Sequence, residues 1–226
     1  MSQRKQPSNI PKPARILIVD DHPIVREGFA ALIAGHADLS VCGQAEDIDG
    51  ALRLIEQSLP DIAVIDISLK NESGLELIRH IKEQFKSVRM LAVSMHDENL
   101  YGERVLAAGA MGYLNKQTAG RKIVDAIHQI LHGRIYLSEE LSERLLTRQV
   151  TGNKNRPTIG VEALTDRELE VFTLIGTGLT TNEIAEKLYL SIKTIETHRQ
   201  KIKWKLNLKN TAELSREAAH WVLLNR

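Results

Sequence analysis

Three carboxylates stand where short apolar runs of the chain stop. Asp20 and Asp21 follow Arg-Ile-Leu-Ile-Val, and Asp66 follows Ile-Ala-Val-Ile. If those runs are parallel strands, their carboxyl ends point the same way and the acids converge. Converging carboxylates raise one another's pKa unless a cation neutralises them. Mg²⁺ suits such a set, because it takes hard oxygen ligands in octahedral geometry and keeps several waters. Ser94 and Lys116 fall at the ends of two further runs. A metal, a hydroxyl and an ammonium around a carboxylate hold a phosphoryl group through its oxygens. Asp66 would then be the nucleophile that forms an acyl phosphate. One aspartate after a strand is an ordinary turn or capping residue. Five polar groups at successive run ends in this order favour the chemistry.

Elements that would position these groups are legible up to about residue 135. Candidate strands are Arg15–Val19, Leu39–Gly43, Ile62–Asp66, Met90–Ser94 and Gly112–Asn115. Between them run helix-period segments, with apolar faces such as Val25, Phe29, Leu32 and Ile33, then Leu75, Ile78 and Ile81, then Ile123, Ile127, Ile130 and Leu131. Alternation of this kind predicts an α/β fold, a doubly wound five-stranded parallel sheet of flavodoxin-like type, with ligands outside the carboxyl ends of the strands.

The expected layout is an arm at 1–13, an α/β domain at 14–135, a helix and linker at 136–162, and an all-α four-helix domain at 163–226. The arm is polar and bears prolines, without the apolar stretch of a signal peptide. Ser138–Thr147 reads as a helix capped by Ser138, and Gln149–Glu162 as the linker. The 226 residues are 42% hydrophobic and 26% charged, ordinary for a soluble protein, and no run is long enough to span a bilayer. Cys42 is the only cysteine, which excludes an intramolecular disulfide or a cysteine-based metal site, and it is expected to be a reduced, buried small hydrophobe in a cytoplasmic protein.

In the last domain, Thr165 with Glu168 has capping-box spacing, and the helix they open ends at Gly176 and Gly178. A short helix follows from Thr181, with Ile184, Ala185 and Leu188 inward. After a turn at Tyr189–Ser191 a third helix runs from Ile192 to about Leu206. This is a helix-turn-helix layout. From Lys193 to Lys209 there are six basic residues against one acid, a local +5 in a chain whose formal charge is +1. Such a helix suits contacts to nucleic-acid phosphates. Thr194, Glu196, Thr197 and Gln200 are short enough to reach base edges. His128 and His132 have metal-ligand spacing but no third ligand, and read as a surface pair.

Asp20-Asp21, Asp66, Ser94 and Lys116 together resemble the signature of receiver domains of two-component response regulators, over about residues 15–135. Leu164-Thr-x-Arg167-Glu168-x-Glu170-Val171, Glu183-Ile184-Ala185, Lys193-Thr194-Ile195-x-x-His198 and Lys205-Leu206 resemble the LuxR-type helix-turn-helix, over about Ala163–Trp221. The combination is similar to the NarL/FixJ class. That resemblance implies phosphoryl transfer to Asp66 from a histidine kinase and binding of promoter DNA as a homodimer. It implies Mg²⁺ on Asp21, Asp66 and the backbone carbonyl of Ser68, with Asp20 acting through water. It also implies that Lys116 and Ser94 hold the phosphoryl oxygens and that Tyr113 is the aromatic partner of Ser94 in the switch. Glu196, Thr197 and Gln200 match base-reading positions, and Lys193, Thr194, Arg199, Lys201 and Lys203 phosphate-contact positions. Leu214, Ala218 and Trp221 match a dimer-forming helix. Three residues depart from the family pattern: Lys70 where proline is frequent, Gln117 where proline follows the lysine, and Glu196 where lysine is frequent. A carboxylate at 196 can accept from cytosine N4. Two other readings are a constitutive DNA-binding protein with an unused receiver and a Mg²⁺-dependent phosphohydrolase, the latter lacking a substrate cap and a second catalytic acid near Asp66.

Overall fold

The computed structural model describes residues 12–69, 72–96, 98–150 and 160–224. Most of the expected arm, the centre of the expected linker and Lys70 lie outside the described residues.

The larger unit alternates strand and helix. Its strands are β1 (Ala14–Val19), β2 (Leu39–Ala45), β3 (Ile62–Asp66), β6 (Arg89–Ser94) and β7 (Gly112–Asn115), all parallel in the order β2-β1-β3-β6-β7. Side chains alternate across this sheet, so Ile16 and Ile18 lie in one apolar layer and Leu17 and Val19 in the other. Helices α1 (Pro23–Ala34) and α5 (Lys116–Leu131) cover the first layer through Phe29, Ile33, Ile123 and Ile127. Helices α2 (Ile48–Ser58), α3 (Gly74–Gln84) and α4 (Glu98–Ala108) cover the second through Ile55, Ile78, Ile81 and Val105. Burial on both faces is why these strands read as continuous apolar runs.

A small antiparallel ladder, β4 (Ser68–Leu69) with β5 (Glu72–Ser73), follows β3 and was not foreseen. Cys42 is half-buried rather than buried; its thiol donates to the Ile16 carbonyl at 3.4 Å and lies 3.5 Å from Ser58 Oγ. Helix α6 (Glu139–Val150) is capped by Ser138, whose hydroxyl accepts from the Leu141 amide, and Leu141 is fully buried.

The helical unit contains α7 (Asp166–Gly176), α8 (Thr181–Lys187), α9 (Ile192–Lys205) and α10 (Thr211–Leu224). Thr165 with Glu168 and Thr180 with Glu183 form reciprocal capping boxes, and Ser191 caps α9. The glycines at the end of α7 have separate reasons. Gly178 takes φ +90°, the turn that lets α8 begin, whereas a Cβ on Gly176 would collide with the Ala218 carbonyl of α10. No helix among the described residues is long and apolar enough to cross a membrane.

Candidate functional site

Register gathers the polar groups. Val19 on β1 sits opposite Ile65 on β3, so Asp20 emerges beside Asp66. Asp66 pairs with Val93 on β6, and Ser94 pairs with Asn115 on β7. Lys116, the next residue, therefore arrives at the same rim. Its ammonium donates to Asp66 Oδ2 at 2.7 Å and lies 2.6 Å from Asp20 Oδ2. Asp20, Asp66 and Ser94 are all buried. Burial pushes the Asp66 carboxyl up, and the charge of Asp20 adds to that, so Lys116 offsets them only in part and the pKa settles at about 6. Burial would lower the Lys116 ammonium; the two carboxylates more than cancel this and hold it above its ordinary value.

The acids also offer donors to a cation. Asp20, Asp21, His22 and Asp66 each place one ligand atom within 4.8 Å of the others. Asp21 Oδ1 is buried and accepts no hydrogen bond; His22 Nδ1 comes within 2.7 Å of it, but not in hydrogen-bonding geometry. A buried, unsatisfied carboxylate oxygen beside two further buried acids fits a hard divalent cation. The Ser68 amide donates to Asp66 Oδ1 at 3.2 Å, which folds the chain after β3 around that carboxylate.

Two histidines lie near the pocket. His22 had no spacing signal beyond adjacency to the acids. His96 follows Ser94 by two residues, and its amide donates to Ser94 Oγ at 3.2 Å. Its ring lies 2.8 Å from Ser68 Oγ, stacks on Tyr101 and approaches Glu170 of α7 to 3.6 Å. Tyr113 is buried and faces inward, with its hydroxyl donating to the His96 carbonyl at 2.6 Å. Glu170 is buried as well; burial alone would raise its pKa, but His96 and Arg167 bring it below the ordinary value.

Alongside this contact, Asp166 at the start of α7 receives Arg79 from α3 and Arg104 from α4, at 2.8 Å and 3.2 Å. Arg104 also donates to the carbonyls of Leu164 and Val161. The two units thus touch through α7, while α9 keeps an open face on which Lys193, Glu196, Thr197, Gln200 and Lys201 are exposed. Ile195 and Ile202 are buried on its other face. Thr194 is half-buried, its hydroxyl 2.8 Å from that of Ser191, and the Thr197 hydroxyl donates to the Lys193 carbonyl. Arg199 and Lys203 are half-buried on the flanks. Lys205, one of the six bases counted in this stretch, pairs with buried Glu168 at 2.6 Å and serves the fold.

The expected dimer residues need correction. Leu214 and Ala218 are fully buried in their own domain, where α10 packs on α7, so neither is available to a partner. Trp221 is half-buried against Phe172, with ring centres 5.7 Å apart. The exposed large apolar side chains on α10 are instead Leu223 and Leu224. His128 lies 2.7 Å from Asp38, and His132 Nδ1 lies 2.6 Å from the His128 carbonyl, so the two rings face different partners.

Known proteins share this arrangement. Residues 16–128 match the family described as response regulator receiver domain, and residues 162–218 match bacterial regulatory proteins of the luxR family. Oxygen regulatory protein NreC of Staphylococcus carnosus is 35% identical over 93% of this chain and 99% of its own length. Response regulator UvrY of Escherichia coli K12 is 30% identical over 93% of this chain and 95% of its own. Among solved structures, RcsB from Salmonella enterica serovar Typhimurium, bound to promoter rprA with the phosphomimetic BeF3⁻, matches at TM-score 0.58 and 26% identity, covering 92% of this chain and 99% of that one. A LuxR-family response regulator from Aurantimonas sp. SI85-9A1 matches at TM-score 0.56 and 37% identity over 62% of this chain and 99% of that one. The strand-end acids with their lysine, the five-stranded parallel sheet and the capped helix-turn-helix agree with these matches: the chain belongs to the two-component response regulators that join a receiver domain to a LuxR-type helix-turn-helix.

Proposed function

We propose that Asp66 accepts a phosphoryl group from the phosphohistidine of a sensor histidine kinase, and that the phosphorylated chain regulates transcription by binding promoter DNA as a dimer through α9. The observation that carries the first half is the Lys116 ammonium, seated between two buried carboxylates at the mouth of the parallel sheet. Above pH 6 Asp66 is ionised and can attack. An Asp66 oxygen bonds to phosphorus as the bond from phosphorus to the donor histidine nitrogen breaks, and that nitrogen keeps the electron pair. Lys116 and the Ser94 hydroxyl bind the phosphoryl oxygens and balance their charge. Mg²⁺, held by Asp21, Asp66 and the Ser68 carbonyl, with Asp20 acting through water, would draw further charge from those oxygens. The receiver promotes only its own phosphotransfer and dephosphorylation, and turns over no diffusible substrate.

For the second half, the open cationic face of α9 supports DNA binding in the cytoplasm, where Lys193, Thr194, Arg199, Lys201 and Lys203 meet phosphates and Glu196, Thr197 and Gln200 face base edges. RcsB has been seen on promoter DNA with a phosphomimetic, and as two dimers on two parallel DNAs. The same exposure favours a second reading, in which α9 binds DNA whether or not Asp66 is phosphorylated. DNA affinity and mass in solution, measured with and without Mg²⁺ and beryllofluoride, separate the two. Dimerisation and tighter binding in the wild type but not in Asp66→Asn support the gated reading. Equal binding by both proteins throughout supports the constitutive one.

A further inference from the structure

One large side chain on α9 has no place in the interior. Trp204 is 82% exposed, whereas Ile195 and Ile202 of the same helix are fully buried. Lys193, Thr197, Gln200 and Trp204 are spaced four, three and four residues apart, so they form one stripe opposite that buried face. Isolated exposed apolar residues are common on protein surfaces. This one continues the line of residues expected to face DNA, with the exposed ammonium of Lys201 nearby and half-buried Lys203 beside it.

We infer that Trp204 is a DNA-backbone contact, its indole packing on deoxyribose and its ring N–H donating to a phosphate oxygen. The inference rests on the reading of α9 as the recognition helix. At 1.5 Å per residue the indole lies about 10 Å further along the axis than Thr197. With the N-terminal turns at the base edges, that displacement takes it off the floor of a major groove about 12 Å wide, to the sugar–phosphate wall. Phosphate oxygens there match both the lysines and the indole N–H. Indole has an apolar body and a single donor, which suits a surface that is part C–H and part anionic oxygen.

The contact has a signature that a lysine contact lacks. An uncharged indole releases no counterion, so removing it weakens binding without changing the salt dependence. The test uses the full chain, a mixed-sequence duplex and a series of salt concentrations, with acrylamide quenching of tryptophan fluorescence. Trp204→Ala should weaken binding about tenfold at every salt concentration, as for a lost hydrogen bond to a charged group, and Trp204→Phe should restore part of the loss. Lys201→Ala should instead reduce the salt slope by about one. Duplex should shield tryptophan from acrylamide in the wild type and not in Trp204→Phe. If the wild type binds while Trp204→Ala binds equally well and the indole stays quenchable, the inference is overturned and the DNA reading stands. Shielding that grows with protein concentration in the absence of DNA overturns it in favour of a second copy. If the wild type binds no duplex at all, the reading of α9 itself fails.

Discussion

Asp66 is held at a cost, because a buried carboxylate must ionise before it can attack. Its pKa of about 6 means the folded chain binds this proton more tightly than the unfolded chain, whose aspartates titrate near 3.8. The sign follows from linkage: the stabilisation is complete below pH 4 and is lost as pH rises to 6, leaving a constant penalty above that. Asparagine fills the same volume and never ionises. In chelator, Asp66→Asn should therefore be more stable than the wild type at pH 7.5, by on the order of 2–3 kcal/mol, with the gain gone by pH 4. Urea denaturation across that range checks it. Added Mg²⁺ should narrow the difference by stabilising the wild type. A variant less stable than the wild type at pH 7.5 would mean that Lys116 outweighs the burial of Asp66. His22 shows where residue-level reading from sequence stops. Adjacency to Asp21 put it near the acids, but only the path of the chain into α1 brings its ring within reach of both Asp20 and Asp21.

Elements were legible to the degree that burial writes itself into the sequence. The five strands of the main sheet were found to within two residues, because burial on both faces leaves little but apolar side chains in them. The ladder of β4 and β5 was missed, since two residues per strand carry no periodicity. The apolar face of α10 was legible, but not what covers it: Leu214 and Ala218 were assigned to a partner molecule when α7 already takes them. Gly176 is the other half of that contact, and a helix-stop reading of it missed the close approach. Gly176→Ala should thus push α7 and α10 apart and cost about 2 kcal/mol, lowering the melting temperature of the helical unit by on the order of 10 °C. Gly120→Ala makes the opposite case. That residue lies within α5 with open space where its Cβ would go, so the same change should stabilise the receiver by about 0.5–1 kcal/mol. Calorimetry of both variants tests the distinction, and equal effects would show that propensity rather than approach decides at Gly176.

At the scale of the whole molecule, the units meet at α7 and leave the exposed stripe of α9 open, so the contacts of this arrangement bear on the orientation of the helix-turn-helix. Two arginines hold the junction, and they are not equal. Arg79 is half exposed and makes one ion pair, which contributes no more than about 1 kcal/mol. Arg104 is mostly buried and donates to Asp166 and to two backbone carbonyls of the segment entering α7, with about 1.5–3 kcal/mol expected for hydrogen bonds of charged groups. Arg104→Ala should therefore release the helical unit and raise the radius of gyration seen by small-angle scattering, while Arg79→Ala changes it little. The junction also lies close to the phosphoryl site. The Ser94 hydroxyl accepts from the His96 amide, Tyr113 holds the His96 carbonyl, and the His96 ring faces Glu170. A Ser94 hydroxyl drawn toward phosphoryl oxygens therefore disturbs His96 across a single hydrogen bond. Beryllofluoride with Mg²⁺ should then expand the wild type toward the dimension of Arg104→Ala, at concentrations low enough to keep both monomeric, and add little to the variant. If beryllofluoride expands both proteins by the same further amount, the phosphoryl group and the arginine act on different contacts, and the path through His96 is not the one that frees the helix-turn-helix.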